Sequence, residues 1–268
     1  MRKILLFTDL DGTLIDHHTY SPSVSKKALK KLAEKNIPVI FCSSKTFSEQ
    51  LHLQQNMGIS HPFIIENGSA IAIPKGYFRN QSADAMQISE NHDLIILAKK
   101  KASDIQHVLK KINEDFKLNL FGYSQSNDIT ISATTGLKGK AVHRAKERRF
   151  TESLFSERPS LEALKMFDSF GLCTLQGGRF LTIQDKDVDK GKAVRFVADM
   201  FHDLWGEIPL TVGIGDSPND EPFLKVVDRP FLVQKHDGSW ADVKADNLLQ
   251  IEAIGPKGFM EMTKNMLE

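Results

Sequence analysis

Two aspartates, Asp9 and Asp11, follow the short apolar run Ile4–Phe7 and stand just before Gly12. In an extended strand, residues two apart share a side, so both carboxylates can reach one point. Asp216, Asn219 and Asp220 follow a second apolar run, Leu210–Ile214. Taken singly, such aspartates serve as turn residues or helix caps. Four carboxylates brought together repel and raise one another's pKa unless a cation lies among them. Hard oxygen ligands suit Mg²⁺, which typically takes one or two carboxylates, water and the oxygens of a substrate phosphate. Ser43-Ser44-Lys45 and Glu66-Asn67-Gly68 end two further apolar runs, Ile37–Cys42 and Pro62–Ile65.

These clusters need a scaffold that brings strand ends together. Ile4–Phe7, Ile37–Cys42, Pro62–Ile65, Leu210–Ile214 and Pro230–Val233 read as strands buried on both faces. Helical periodicity separates them: Val24, Ala28, Leu29 and Leu32 in one segment, Val194, Val197, Phe201 and Leu204 in another. Thr46 with Glu49 is a capping-box signature, and Gly58 is a helix stop. The alternation predicts an α/β fold with a doubly wound, mostly parallel sheet, whose ligands bind at the carboxyl ends of the strands. The middle of the chain is less regular. Leu94–Leu97 reads as a strand, Ser103 as the cap of a helix through Ile112, and Ile129–Ile131 as an exposed strand. Leu161–Phe170 reads as a helix, and Leu172–Leu175 with Phe180–Ile183 as a hairpin turning at Gly177-Gly178. The expected division is a catalytic core of residues 1–83 plus 186–268, with an inserted α+β cap over 84–185.

Composition narrows the classes. The chain has 268 residues, 35 Lys+Arg against 34 Asp+Glu, and a net charge of +1. That balance gives no long-range pull toward nucleic acid or an anionic membrane. Cys42 and Cys173 are too few for a disulfide framework or a cysteine zinc site. No apolar run reaches the ~18 residues of a membrane span, and the basic start at Arg2 and Lys3 lacks the ~7–15 residue core of a signal peptide. A cytoplasmic protein is expected. No heptad or apolar patch indicates an oligomeric state. Neither Ser43 nor Ser44 sits in a Gly-x-Ser-x-Gly elbow, no P-loop is present, and the spacing of His17 and His18 fits no metal motif.

Asp9-Leu10-Asp11-Gly12-Thr13-Leu14 after an apolar strand resembles the first signature of the haloacid dehalogenase superfamily. Ser43 stands at that superfamily's second signature and Lys190, in Asp189-Lys190-Gly191-Lys192, at its third. Gly215-Asp216-Ser217-Pro218-Asn219-Asp220 resembles the acidic fourth, and the long insertion is similar to a type-two (Cof-like, C2) cap. The resemblance covers the whole chain. It implies a Mg²⁺-dependent phosphatase working through an aspartyl phosphate. Asp9 would be the nucleophile and Asp11 the general acid, then base, also lending its backbone carbonyl to the metal. Asp216 would bind the metal directly, and Asp220 directly or through water. Ser43 and Lys190 would hold the phosphoryl oxygens, and Gly12 would admit the phosphate to the backbone. Asn219 would donate to the phosphate or orient Lys190. Lys192 competes with Lys190 for the lysine role.

Within the superfamily, Ser43-Ser44-Lys45-Thr46, Glu66-Asn67-Gly68-Ser69-Ala70-Ile71, Arg149-Phe150-Thr151-Glu152 and Gly177-Gly178-Arg179-Phe180 resemble mannosyl-3-phosphoglycerate phosphatases. Ser69 and Ser153 depart from that pattern. The implied ligand is a small phosphorylated sugar carrying a carboxylate, for which Arg179 after Gly178, and Arg149, are the expected partners. Asn67 would hydrogen-bond the sugar, and Ser44 would also lie at the substrate. Most of the basic stretch Arg144, Lys146, Arg148 reads as a solvated helix face. A broader sugar-phosphate phosphatase of the same superfamily is the alternative, with a phosphomutase further off. From another class comes a receiver-like signalling module phosphorylated on Asp9. The acid at Asp11 and about 100 residues of cap favour turnover of a small molecule.

Overall fold

The computed structural model describes residues 2–78, 85–156, 158–177 and 180–267. The chain runs β1 (Ile4–Thr8), α1 (Lys26–Glu34), β2 (Val39–Cys42), α2 (Phe47–Met57), β3 (Phe63–Ile65), β4 (Ala70–Pro74), β5 (Met86–Ser89) and β6 (His92–Ile96). It continues α3 (Ala102–Phe116), α4 (Asp128–Thr135), α5 (Lys140–Lys146), β7 (Thr151–Leu154), α6 (Leu161–Ser169), β8 (Leu172–Gln176) and β9 (Leu181–Asp185). It closes with α7 (Lys190–Trp205), β10 (Leu210–Gly215), α8 (Glu221–Leu224), β11 (Arg229–Gln234), β12 (Leu249–Ile254) and α9 (Gly255–Leu267).

Nine strands form one sheet in the order β12-β11-β10-β1-β2-β3-β4-β6-β5. Pairings from β12 to β3 are parallel, and those of β4, β5 and β6 are antiparallel. The parallel part is apolar on both faces. Leu6 packs with α1 and α9 on one side, while Leu5 and Phe7 pack with α7 on the other. Each such buried side chain contributes roughly 1.5–3 kcal/mol relative to an exposed one. The expected mostly parallel α/β sheet is what forms.

A second, antiparallel sheet of order β7-β9-β8 carries α3 and α6 on one face, with its own core around Ile105, Leu109, Phe167 and Ile183. Three local expectations change. Residues 85–98, assigned to the insertion, belong largely to the large sheet, because β6 pairs along the whole of β4. We place the start of the inserted unit at Lys99. Ile129–Ile131 is helical: Asn127 accepts from the Thr130 N–H, and Gly136 ends the helix at φ +80°. Those end signals outweigh a brief alternation. The helix expected to be capped by Ser103 begins at Ala102, where the Asp104 carboxylate accepts from the Lys101 N–H at 2.8 Å. The capping box at Thr46 and Glu49 and the left-handed stop at Gly58 form as expected.

Two sets of contacts attach the inserted unit. At its ends, Asp185 accepts from the N–H groups of Lys99 and Lys100 at 2.7 and 3.0 Å. At its base, the buried Glu66 carboxylate accepts from Arg149 N–H, Phe150 N–H and Thr151 Oγ at 2.9, 3.0 and 2.7 Å. Burial pushes the Glu66 carboxyl above its usual pKa, and the nearby Arg148 and these donors oppose the shift. Removing an acceptor that serves buried N–H groups costs about 1–3 kcal/mol. Glu66→Ala is therefore expected to lower stability in urea denaturation by about that amount. A change within ±0.5 kcal/mol, the range of neutral surface substitutions, would contradict this role.

Candidate active site

β10, β1, β2 and β3 are neighbours in the sheet, so their carboxyl ends form one edge. Asp216–Asp220, Asp9–Gly12, Ser43–Lys45 and Glu66–Gly68 follow those strands and meet there. The loop after β1 turns tightly. Gly12 has φ +79°, and a Cβ on it would lie 2.6 Å from Asp216 Oδ2. A side chain at this point would enter the acidic cluster. Gly68 is similarly constrained, with φ +96° and a would-be Cβ 2.1 Å from the Asp189 carbonyl oxygen. That close approach seats the start of α7 against the end of β3.

Lys190, the first residue of α7, is buried and donates to Asp9 Oδ1 at 2.7 Å and Asp220 Oδ1 at 2.6 Å. Lys192 instead turns outward to the Asp187 carbonyl. Asp220 uses its other oxygen to accept from Asp216 N–H and Ser217 N–H, both at 3.0 Å. Asp216 Oδ1 accepts from Thr13 Oγ at 3.1 Å. Oxygens of Asp9, Asp216 and Asp220 lie within 4.8 Å of one another.

Three buried carboxylates thus face one ammonium. Burial, then Asp220, raises the Asp9 carboxyl to about 7, against the pull of Lys190. Burial, then Asp220 and Asp9, also raises Asp216. For Lys190, burial alone would lower the value, but Asp220 and Asp9 outweigh it and hold the ammonium above the ordinary lysine range. The residues fit a Mg²⁺ ion: the donors are hard oxygens, converge within one ion's reach, and carry excess negative charge. Asp11 Oδ1 is in addition buried without a partner.

The cleft above this cluster is a cavity of about 90 Å³ lined in part by Asp9, Asp11, Ser44 and Asn219. Ser43 lies buried beneath it, with its hydroxyl 3.4 Å from the Lys45 N–H. Asn219 Nδ2 donates to Asn67 Oδ1 at 3.2 Å, which joins the loops after β10 and β3. Asn67 is buried with φ +58°. Gly178 and Arg179 lie outside the described residues. Arg149 is exposed and borders an outer groove beside Met86 and Ala102, and only its backbone N–H meets Glu66.

Lys45 and Arg148 also line the cleft, a role not read for either from the sequence. Lys45 is buried and pairs with Asp11 at 3.0 Å and Glu49 at 3.6 Å, with the Tyr20 ring 4.9 Å away. Its position directly after two serines at a strand end was the available signal. Arg148, expected on a solvated helix face, instead enters the cleft. α5 ends at Lys146, and the guanidinium packs over the Tyr123 ring at 4.8 Å and donates to Thr151 Oγ at 2.8 Å and Ser44 O at 3.2 Å. Its Nε is buried without a partner. His17 also borders the cleft and stacks on His236 at 4.3 Å. Nothing in the spacing of those two residues announced the contact.

Residues 6–238 match the haloacid dehalogenase-like hydrolase family, and the chain belongs to it. Among curated relatives, the glucosyl-3-phosphoglycerate/mannosyl-3-phosphoglycerate phosphatase of Persephonella marina is 35% identical, over 96% of this chain and 95% of its own. The protein of the same name from Methanococcoides burtonii is 38% identical, over 96% and 94%. The expected resemblance to phosphatases of this family is therefore met. Two solved structures share the fold at low identity. The subclass IIB sugar phosphatase BT4131 aligns with TM-score 0.64 and 16% identity over 98% of this chain and 99% of that one. TM0651 of Thermotoga maritima gives 0.63 and 17% over 99% and 97%. Among the described residues, no helix is long and apolar enough to cross a membrane.

The buried acids make stability depend on pH. A carboxyl raised in the folded state contributes fully below its unfolded value, and that contribution is lost as pH rises through the folded value. For Asp9 the window runs from about 4, the ordinary carboxylate value, to about 7. In chelator, the unfolding midpoint is expected to fall more steeply with pH across this window for the native chain than for Asp9→Asn. Added Mg²⁺ should restore the midpoint more at pH 8 than at pH 5. Parallel pH profiles for the two chains would contradict the assignment.

Proposed function

We propose that this chain hydrolyses the phosphate monoester of a glycosylated 3-phosphoglycerate, with mannosyl-3-phosphoglycerate as the leading substrate and mannosylglycerate as the product. The observation that carries the reading is the Asp9 carboxylate, held by Lys190 at the floor of a cleft whose other walls carry cations. Two named relatives at 35% and 38% identity support the substrate class.

In this reading an oxygen of Asp9 attacks phosphorus. The new Asp9–phosphorus bond forms as the bond to the glycerate oxygen breaks. Asp11 delivers a proton to that departing oxygen, then takes one from the water that attacks the phosphoryl-aspartate. Inorganic phosphate leaves and Asp9 is regenerated. Lys190 and Ser43 hold the phosphoryl oxygens where negative charge gathers, and Gly12 lets the backbone approach them. Asn219 and Asn67 fix the neighbouring loops. Asp9, Asp216, Asp220 and the Asp11 carbonyl would hold Mg²⁺, which when bound supplies positive charge against the phosphate and screens it from the acids. The inserted unit acts as the cap that reads the rest of the substrate. Lys45 and Arg148 are the cations that face the cleft beside the phosphoryl site, and they suit the glycerate carboxylate.

Asp9→Asn is expected to fold and to lose at least ~10³-fold in turnover, as expected on removing a covalent nucleophile. Retention of a few per cent of activity would sink the assignment. Arg148→Met should cut kcat/KM by roughly 10- to 100-fold on the carboxylated substrate, since a charged contact is worth ~1.5–3 kcal/mol. It should cost less on a sugar phosphate lacking the carboxylate. Equal losses on both would argue for a purely structural arginine.

A further inference from the structure

Beyond Lys45 a second chamber adjoins the catalytic cleft. Its volume is about 210 Å³. The two share one partition, made by Tyr20, Lys45, Glu49 and Leu137. The chamber lies between α2 of the core and α5 of the inserted unit, which contribute His52 and Asn56 on one side and Arg144 on the other.

The partition itself is under constraint. Tyr20 has φ +55°, an uncommon conformation for a bulky side chain. Such outliers persist where the surroundings hold them, often at ligand clamps. Here the loop is held by Asp16, which accepts from His18 N–H, Thr19 N–H and Thr19 Oγ. The Tyr20 hydroxyl reaches across to the inserted unit and donates to the Thr135 carbonyl at 3.3 Å. The ring is thus fixed upright between the two spaces, with the Lys45 ammonium against its face.

We propose that this second chamber is the glycosyl subsite, with Tyr20 as its dividing wall. The inference rests on the substrate class given above and adds the place of the sugar. A phosphoryl group on Asp9 and a carboxylate at Lys45 leave the hexose pointing past Lys45, into the chamber. A neutral polyol needs an apolar face to lie on and paired donors and acceptors at its rim. Tyr20, Leu53 and Leu137 supply the first. Glu49, Arg144 and the hydrogen-bonded pair His52 and Asn56, 3.1 Å apart, supply the second. Burial and the neighbouring Arg144 lower the His52 pKa, which keeps its imidazole neutral and able to both donate and accept.

The test is the ratio of kcat/KM for mannosyl-3-phosphoglycerate to that for 3-phosphoglycerate, read by phosphate release with Mg²⁺ present. His52→Ala removes a rim contact, and Ala141→Trp fills the chamber from α5. Each should lower the ratio by ~10-fold, the size of a lost polar contact. Tyr20→Phe keeps the wall and should retain most of the ratio, whereas Tyr20→Ala should not. A native ratio in both His52→Ala and Ala141→Trp would overturn the subsite and leave the phosphatase reading intact. A native chain that does not favour the glycosylated substrate would overturn both.

Discussion

The structure depends on one buried ammonium. Lys190 is the cation within hydrogen-bond reach of Asp9 and Asp220, and Asp216 lies beside them. Removing that ammonium would leave the buried carboxylates without their counter-charge in a low-dielectric interior. The sheet order follows from the same need. Asp9 and Asp216 arrive on adjacent strands, β1 and β10, while Lys190 arrives on α7, seated by the contact between Gly68 and the Asp189 carbonyl. The site is poised rather than neutral. Its surplus of negative charge is what a divalent cation would relieve, and the raised pKa of Asp9 reflects its burial first and the neighbouring Asp220 after that.

A second layer of charge lines the cleft. Lys45 and Arg148 come from opposite units, one from the end of β2 and the other from the segment before β7. Glu66 accepts the backbone just after Arg148, so the segment that carries this arginine is tied to the loop that carries Asn67. Through Asn219 that loop is in turn tied to the acidic cluster. Hydrogen bonds and the short chain links between them therefore run from the inserted unit to the acidic cluster.

Much of the core was legible. Strands buried on both faces are strongly apolar, and Asp9-Leu10-Asp11-Gly12 and Gly215–Asp220 announce strand ends because polar clusters break the runs so abruptly. The sheet edges were harder. β12 and β4–β6 alternate weakly or pair antiparallel at the margin, and α9 follows a strand that was not foreseen. The convergence of the acids on Lys190 could be expected because chemistry restricts which residue types suit such a cluster. Arg148 could not, since its role depends on where α5 stops and on the Tyr123 ring, which is remote in sequence. Tyr20 was invisible for a similar reason: its meaning lies in a backbone angle and a hydroxyl contact with residue 135.

The carboxylate of Asp185 clasps the amides of Lys99 and Lys100, so the chain leaves the core and returns to it at nearly the same place. The inserted unit is a guest whose two crossings are fixed side by side, while Glu66 grips it a second time at its base. Among the described residues, β7, β8 and β9 form a sheet of their own and pair with no strand of the large one. Exchange of one such guest for another of different length and contour is thus topologically cheap. A single acid-bearing platform can in this way come to serve many differently shaped molecules while its own register stays untouched.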